Sequence, residues 1–181
     1  VQIAESISKE CVVIVKSTVP IGTNDDVEKI LNENPACLKV HVASNPEFLA
    51  QGTAVPDTMH ASRIVLGVND DFAKEKLLEM YKDFDAPVMV CNRRSAEMIK
   101  YASNDFLALK ISYMNEIANL CEAIGANVEE VAKGMGFDER IGKRFLHAGI
   151  GYGGSCFPKD TKALHHLSAV NGCEMKTVKA A

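Results

Sequence analysis

The apolar positions in the first half of the chain fall into short runs separated by longer amphipathic segments. Four runs rich in β-branched residues predict strands at 11–15, 40–43, 63–68 and 87–90. Helical spacing predicts helices at 22–32 and at about 72–84, with Asn69 and Asp70 capping the second. Strands that alternate with helices are typical of a parallel sheet covered on both faces, so we expect an α/β fold here.

The pattern changes at residue 95, where a long stretch begins that has no glycine or proline until Gly125. Apolar side chains recur in it at helical spacing, which predicts one helix of about 45 Å. They are Met98, Ala102, Phe106, Leu109, Tyr113, Ile117, Leu120 and Ile124. A face this long and apolar needs packing on more than one side, and a second copy of the chain is the natural source. The alternative is a helix buried within its own domain.

Shorter elements complete this helical half. Asn127 begins a helix that is expected to end at Gly134, and residues 157–169 predict another, with Pro158 suited to its first turn. We therefore expect an α/β domain at 1–93 and an all-helical domain at 94–181. The first residues are typical of the end of a helix and lack an initiator methionine, so we expect a piece of a longer protein.

Composition narrows the class of protein without identifying it. The chain has 181 residues, is 47% hydrophobic and carries a formal net charge of −4. A nearly average, slightly acidic chain without a basic stripe argues against nucleic acid as a partner. No apolar run reaches the ~18 residues of a membrane helix, and no signal-peptide pattern is present. A cytoplasmic protein with no membrane contact is expected.

The six cysteines could form disulfides, but their pattern favours reduced thiols. Their spacing is irregular, and Cys11 and Cys91 lie within or beside apolar runs. Small secreted domains stapled by disulfides are usually shorter and richer in turns. Neither a CxxC motif nor paired histidines at metal-ligand spacing occur, so no metal site is expected.

A glycine-rich loop carries the strongest chemical signal. Four glycines fall within residues 149–154, and Cys156 follows at the start of a predicted helix. Glycines expose backbone N–H groups to a ligand, and a thiol at a helix N-terminus near Lys159 is favoured as the thiolate. The competing interpretation is a flexible turn that holds an inert cysteine. Asp160, one helical turn further on, either orients water or caps the helix.

Polar residues at predicted strand ends and on the long helix are further candidates. Lys100 and Asn104 lie four residues apart on one helix face, which suits them to stabilise an oxyanion, although a solvated helix edge has the same pattern. Thr18 and Glu47 follow predicted strands, and open parallel sheets bind ligands at the carboxyl ends of strands. Glu47 is a candidate acid or base, and Thr18 is a candidate hydrogen-bonding residue. Alternatively, both residues cap a helix or form a turn, which explains their positions equally well.

These motifs occur together, in order and spacing, in one known family. Residues 16–20, 45–49, 97–104, 138–145 and 151–162 resemble the UDP-glucose/GDP-mannose dehydrogenase family. The resemblance spans almost the whole chain. It implies the C-terminal part of a Rossmann-like, parallel-sheet NAD-binding domain, followed by an all-helical central dimerisation domain. It also implies an NAD-dependent, four-electron oxidation of UDP-glucose to UDP-glucuronate in the cytoplasm.

The resemblance also implies the site residues. The catalytic set is Cys156, Lys100, Asn104, Asp160, Glu47 and Thr18. The substrate-binding set is Phe48, Leu49, Arg140, Phe145, Tyr152 and Gly153. The set that contacts NAD is Ser17, Gln51 and Lys159.

Each implied role follows the chemistry of the family. Cys156 would add to the aldehyde left by the first oxidation and carry the carbon as a thiohemiacetal and then a thioester. The lysine–asparagine pair of the long helix would stabilise the oxyanion. Asp160 and Thr18 would position a water, and Glu47 would assist thioester hydrolysis. Arg140 would reach the sugar bound by a neighbouring subunit, which fits a homodimer.

The sequence departs from the family pattern in ways that affect the expected activity. The family's N-terminal G-x-G-x-x-G motif and its C-terminal domain over the UDP are absent, so this chain alone is expected to be inactive. Gln51 and Ser62 stand where relatives often carry Glu and Asp. The alternatives are a GDP-mannose dehydrogenase, a UDP-N-acetylmannosamine dehydrogenase in third place, a non-catalytic dimerisation fragment, or a loop that binds a phosphate-bearing regulator.

Overall fold

The chain divides into two compact units within its longest helix. The computed structural model describes residues 2–33 and 39–181, so Cys37 lies outside the described residues. The first unit is Val1–Lys100 and the second is Tyr101–Ala181. The described residues after Cys91, where the last strand ends, form helices and loops.

All four predicted strands are present in the first unit, together with the predicted helices. The elements in chain order are α1 Gln2–Ser6, β1 Cys11–Val15, α2 Thr23–Asn32, β2 Val40–Ser44, α3 Ala54–Met59, β3 Ile64–Gly67, α4 Asp71–Met80, β4 Val88–Cys91 and α5 Arg93–Ile124. The cap of α4 is confirmed, because the side chain of Asp70 accepts a hydrogen bond from Ala73 N. The sequence did not predict α3, since six residues are too few for a repeated helical pattern to be recognised.

Helix α4 ends at Met80, before the predicted end near residue 84. The next residue, Tyr81, leaves helical geometry, and its hydroxyl donates to the side-chain oxygen of Asn45 on the sheet. A tertiary contact therefore ends this helix earlier than its apolar spacing predicts.

One pairing in the sheet differs from the predicted parallel arrangement. The strand order is β1-β2-β3-β4, with β1/β2 and β3/β4 parallel. β2 and β3 are antiparallel and pair at Ser44 opposite Gly67, the last residue of each strand. Residues 45–63 connect β2 to β3, and α3, the helix among them, buries none of its 6 residues, so this connection does not pack on a face of the sheet as the helix of a parallel crossover does. The sheet is thus two βαβ units whose strand ends meet at its centre.

The strands supply side chains to two cores, one on each face of the sheet. Val40 and Val42 of β2 pack with Ala4 of α1 and Leu31 of α2. Their neighbour Ala43 belongs to the other core, which includes residues of β3 and α4. Both faces are therefore covered, as alternating strands and helices predict.

The edge strands are more exposed than their apolar sequences predict. β1, expected to be buried, is half-buried along its length, and Val88, Met89 and Val90 of β4 are exposed. The strand order places both at the edges of this sheet, where each has one neighbouring strand. The apolar content of these runs predicts a strand but not its place in the sheet.

A glycine brings the start of α5 against the sheet. A Cβ built on Gly67 would lie 2.5 Å from the Cβ of Ala96 and 2.9 Å from the Cα of Arg93, so only glycine fits here. The buried guanidinium of Arg93 pairs with Asp25 and Glu28 of α2. These contacts fix the first turns of α5, which carry Glu97 and Lys100.

The second unit contains the remainder of α5 with three further helices, α6 Val128–Gly136, α7 Cys156–Val170 and α8 Lys176–Ala180. The predicted N-terminus of α6 is confirmed, because the side chain of Asn127 accepts from the N–H groups of Glu129 and Glu130. The helix continues two residues beyond Gly134. The sequence did not predict α8, a single short turn.

The predicted apolar stripe of α5 is largely on the surface of the chain. Phe106 is 62% exposed and Ile124 is 67% exposed, while Tyr113 and Leu120 are also exposed. The buried face carries a mixture of polar and apolar side chains instead. It includes Tyr101, Asn104, Asp105, Ala108, Met114 and Cys121. None of the helices in the described ranges combines the length and apolarity needed to cross a membrane.

Candidate active site

Polar side chains cluster where the strands of the first unit end. Lys16 Nζ, just after β1, donates to Asn45 Oδ1 at 2.9 Å and to the Tyr81 hydroxyl at 3.2 Å. The amide nitrogen of Asn45 donates to the backbone oxygen of Val65 in β3 at 2.9 Å. Asn45 therefore joins the loops after β1 and β2 to the neighbouring strand. Neither Lys16 nor Tyr81 was among the predicted site residues.

The loop that carries Ser17 and Thr18 is fixed by a carboxylate from α5. Glu97 is buried and accepts from Gly22 N at 2.6 Å, from Asn24 N at 3.0 Å and from Asn24 Nδ2. Gly22 has φ 98°, a left-handed conformation that favours glycine. Ser17 is exposed and Thr18 half-buried at the carboxyl end of β1. Glu97 lies one turn before Lys100, so a single helix fixes both this loop and the lysine.

Glu47, Phe48 and Lys100 come together, as the site prediction requires. The buried ammonium of Lys100 lies 3.1 Å from Glu47 Oε1. It also lies 5.5 Å from the ring centroid of Phe48, and the guanidinium of Arg63 lies 3.8 Å from the same centroid. Burial lowers the pKa of Arg63. Phe48 is thus in contact with two cations. Arg63 was not among the predicted site residues, because no motif in the sequence links it to Phe48.

The predicted residues that follow Phe48 lie on the surface. Leu49 is exposed, and its N–H donates to Glu47 Oε2 at 2.8 Å. That bond leaves Oε1 of Glu47 for Lys100. Gln51 is exposed in the turn before α3.

Asp160 is the most deeply buried of the predicted site residues. It is 0% exposed, and Asn104 Nδ2 donates to its Oδ2 at 2.6 Å. Lys159 Nζ lies 2.8 Å from Oδ1, an ionic contact without hydrogen-bond geometry. Asp160 raises the pKa of Lys159, chiefly through this contact, and Cys156 adds a smaller effect of the same sign. The helix-capping alternative for Asp160 is not what the structure shows, because its carboxylate pairs across to α5.

Cys156 is the first residue of α7 and is exposed. The thiol lies 4.0 Å from the hydroxyl of Ser155. Gly153 and Gly154 precede them with φ 59° and 72°, which explains the need for glycine at both positions. The thiol is accessible at a helix N-terminus, in contrast to the inert buried cysteine considered above. The five described cysteines are free, and Cys121 is the buried one.

Two aromatic rings pack against Phe157, the residue after Cys156. Phe157 makes edge contacts with Phe145 at 6.3 Å and with Tyr152 at 6.2 Å between centroids. Phe145 has φ 64°, a left-handed conformation that is strained for a residue with a side chain. A bent backbone and a clustered set of rings next to a glycine-rich loop suit a flat, polar ring system such as a nucleobase.

Arg140 extends from the surface of the second unit. Its side chain is 89% exposed, and its guanidinium is oriented by Asp138, with Nη2 2.6 Å from Oδ2. The guanidinium in turn lowers the pKa of Asp138. Arg140 does not join the other predicted residues within this chain, and its exposed position is open to another molecule.

Two polar residues of α5 hold the loop that ends in Phe145 and the glycine-rich loop. Lys110 Nζ donates to the backbone oxygens of Ile141 at 3.0 Å and Arg144 at 2.7 Å. Asn115 Oδ1 accepts from Gly149 N at 2.8 Å. The sequence prediction missed both, although polar residues inside an apolar helical stretch are the signal that could have found them.

Comparisons with known proteins identify the class of protein to which this fold and site belong. The model of the "UDP-glucose/GDP-mannose dehydrogenase family, NAD binding domain" matches residues 1–85, and that of the same family's central domain matches residues 94–181. The chain belongs to the UDP-glucose/GDP-mannose dehydrogenase family.

Relatives within the family are similar over nearly the whole chain. It is 55% identical over 168 residues to UDP-glucose 6-dehydrogenase YwqF of Bacillus subtilis, covering 92% of this chain and 38% of the relative. This chain is also 52% identical to UDP-glucose 6-dehydrogenase of Rhizobium meliloti, and the match covers 90% of this chain and 38% of the relative. The chain thus spans about 38–42% of the length of the curated relatives it matches.

Solved structures agree with this assignment. A UDP-glucose dehydrogenase from Pyrobaculum islandicum superposes with a TM-score of 0.91 at 46% identity, covering 94% of this chain and 40% of that one. GDP-mannose dehydrogenase from Pseudomonas aeruginosa gives a TM-score of 0.71 at 30% identity, and the match covers 97% of this chain and 42% of that one.

Proposed function

We propose that a protein carrying this sequence oxidises UDP-glucose to UDP-glucuronate with NAD through a thioester on Cys156. The observation that carries the proposal is an exposed thiol at the start of α7, one turn before the buried Asp160 that Asn104 and Lys159 hold. The sugar is chosen over GDP-mannose because the UDP-glucose relatives reach 55% identity, whereas the GDP-mannose enzyme stands at 30%.

The first oxidation leaves an aldehyde at the sugar's C6, and a second hydride can leave only after a nucleophile adds. Bound NAD supplies the hydride acceptor for both oxidations. Cys156 adds as the thiolate, forming a C–S bond while the carbonyl oxygen becomes an oxyanion. Lys100 and Asn104, one turn apart on α5, donate to that oxyanion. Loss of the second hydride converts the thiohemiacetal into a thioester.

Hydrolysis then releases the acid. Asp160 and Thr18 position a water, and Glu47 accepts its proton as the oxygen attacks the thioester carbon. The C–S bond breaks and restores Cys156 as the thiolate, and the carboxylic acid product loses its remaining proton to solvent and leaves as the carboxylate. Asp160 suits this role because the hydrogen bond from Asn104 and the ionic contact with Lys159 orient its carboxylate.

The binding residues divide between the sugar nucleotide and the cofactor. Phe48, Leu49, Phe145, Tyr152 and Gly153 hold the nucleotide sugar. Ser17, Gln51 and Lys159 contact NAD; the first two are exposed after the carboxyl ends of β1 and β2, where the fold favours a dinucleotide. No G-x-G-x-x-G motif links a strand to a helix within residues 1–93, and the match at 149–154 precedes α7 without a strand before it. We therefore expect the chain alone to be inactive, and residues 1–93 to act as one part of the NAD-binding domain.

We also propose that residues 94–181 form a homodimer through α5 in the cytoplasm. The exposed stripe Phe106, Tyr113, Leu120 and Ile124 runs along one side of the helix. Exposed apolar area of this extent marks an interaction surface. Arg140 is exposed and oriented by Asp138, so it can reach the sugar bound by the partner.

The test of the reaction uses the full-length protein, meaning this sequence with the remaining length of the family. NADH release is measured with UDP-glucose and GDP-mannose separately, for the wild type and for Cys156→Ser. We expect two NADH per UDP-glucose in the wild type. The variant lacks the nucleophile and is expected to lose steady-state turnover by about 1000-fold or more.

Cys173→Ser is the matched control, because Cys173 is also an exposed thiol. It is expected to behave as the wild type. If the enzyme oxidised GDP-mannose and not UDP-glucose, GDP-mannose would become the proposed substrate. Absence of turnover with both sugars would favour a non-catalytic dimerisation role.

A further inference from the structure

Asp105 is a buried carboxyl group for which the proposed reaction has no use. It follows Asn104 on α5 and is 6% exposed. Its Oδ1 is buried and has no hydrogen-bond partner among the described residues. Leaving a buried ionised carboxylate unpaired is costly, so such a group usually takes up a proton instead.

Asp105 forms no ion pair with any residue in the ranges that the structure describes. Asp160 of α7 acts on it with the same sign of charge. Lys159, the nearby cation of α7, pairs with Asp160 rather than with Asp105. Burial first, and Asp160 second, raise the pKa of Asp105. The two carboxyls repel each other when both are ionised, and Asp160 rather than Asp105 has the hydrogen bond from Asn104 and the ion pair with Lys159.

We propose that Asp105 is a neutral carboxylic acid in the folded protein, and that its proton leaves the negative charge of this carboxyl pair on Asp160, beside Asn104 and Lys159. In this arrangement Asp105 is a positioning residue that acts through Asp160. The inference rests on the proposed function only for the role of Asp160. The protonation of Asp105 itself can be tested whatever the substrate.

The direction of the pH effect on stability follows from linkage. The folded pKa of Asp105 lies above its unfolded value of about 3.9, so the folded state binds an extra proton between the two values. The stabilisation from that proton is complete below the unfolded pKa. It is lost as the pH rises through the folded pKa. Asp105→Asn keeps the shape and is neutral at every pH, so it does not lose this stability.

The first measurement is the melting temperature of full-length wild type and Asp105→Asn from about pH 4 to about pH 9. We expect the variant's melting temperature relative to wild type to rise with pH and then level off. Asp83→Asn, which removes an exposed aspartate at the end of α4, is the control. It is expected to show no such rise.

The second measurement is infrared spectroscopy of protein labelled with 13C in its aspartates. An isotope-shifted carboxylic-acid carbonyl band is expected near neutral pH in wild type and in Asp83→Asn, and is expected to be missing in Asp105→Asn. If Asp105→Asn does not fold, Asp160→Asn serves instead. Removing the negative charge of Asp160 should lower the pKa of Asp105, so the acid band should disappear at a lower pH than in wild type.

The activity of the full-length enzyme tests the positioning role. Ionisation of Asp105 places a second negative charge beside Asp160, so wild-type kcat is expected to fall on the alkaline side. Asp105→Asn is expected to lack that fall. A wild type without the acid band would overturn the inference even if UDP-glucose is oxidised. An acid band in a protein without turnover would instead count against the proposed function alone.

Discussion

Phe145 has a backbone conformation that its side chain disfavours. Its φ of 64° lies in the left-handed region, and its ring packs edge-on against Phe157. For residues with a Cβ this region costs about 1–2 kcal/mol. The loop therefore keeps a strained residue next to the candidate site, held in part by the bonds of Lys110 to Ile141 and Arg144.

Two substitutions separate this strain from the loss of the ring. Phe145→Ala and Phe145→Gly both remove the contact with Phe157, but only glycine relieves the backbone. We expect Phe145→Gly to be more stable than Phe145→Ala by about 1 kcal/mol in urea unfolding, the usual cost of alanine at a positive φ. An alanine variant of equal or greater stability would show that the loop relaxes away from the left-handed conformation.

Helix α2 depends on a cap supplied from outside its own sequence. Its N-cap residue Gly22 has no side chain, and the carboxylate of Glu97 accepts from Gly22 and Asn24 instead. A buried anion at a helix N-terminus satisfies free N–H groups and interacts favourably with the helix dipole. Because Thr18 and Ser17 precede this helix, the cap also fixes the loop that carries them.

Glu97→Gln tests that connection. The amide keeps the size of the side chain, but places a donor against N–H donors and removes the charge. We expect a loss of about 1–3 kcal/mol of stability and faster hydrogen exchange at the amides of Gly22 and Asn24. The exposed Glu122→Gln is the control. Unchanged exchange at both amides would mean that Glu97 does not hold the loop.

At the scale of the whole molecule, α5 carries the surface through which we expect two copies of the chain to associate. The stripe Phe106, Tyr113, Leu120 and Ile124 is exposed, and its members lie on one side of a helix of 32 residues. Apolar side chains in such a line lose contact with water when a second copy packs against them. We therefore expect the dimer to depend on this stripe and not on the polar positions opposite.

Phe106→Glu places a charge within the stripe, whereas Glu122→Lys changes a charge roughly on the far side of the helix at 3.6 residues per turn. Sedimentation equilibrium of the full-length proteins measures the effect. We expect Phe106→Glu to weaken dimerisation by at least about 100-fold, the cost of an unpaired charge in an apolar interface. Glu122→Lys should leave it unchanged. A monomeric wild type at all concentrations would remove the dimer proposal.

The sequence pointed to the side chains of the candidate site more readily than to the residues that hold those side chains in place. The resemblance implied roles for Glu47, Lys100, Asn104, Cys156 and Asp160, and the structure brings Glu47 to Lys100 and Asn104 to Asp160. Several residues that support these side chains were assigned no role from the sequence, although Lys16 and Glu97 lie within the motifs that carry the resemblance. They are Lys16, Tyr81, Arg63, Glu97, Asp105, Lys110 and Asn115.

The sequence by itself determined what depends on neighbours along the chain. Four apolar runs define the strands, Asp70 and Asn127 define helix starts, and the glycines before Cys156 permit the turn that precedes α7. Only the tertiary structure decided the antiparallel meeting of β2 with β3, the early end of α4, the cap from Glu97 and the burial of Asp105. Local periodicity specifies which face of an element is apolar, but not which distant group covers it. Those contacts join residues far apart in the chain, and their energies depend on the packing of the whole fold.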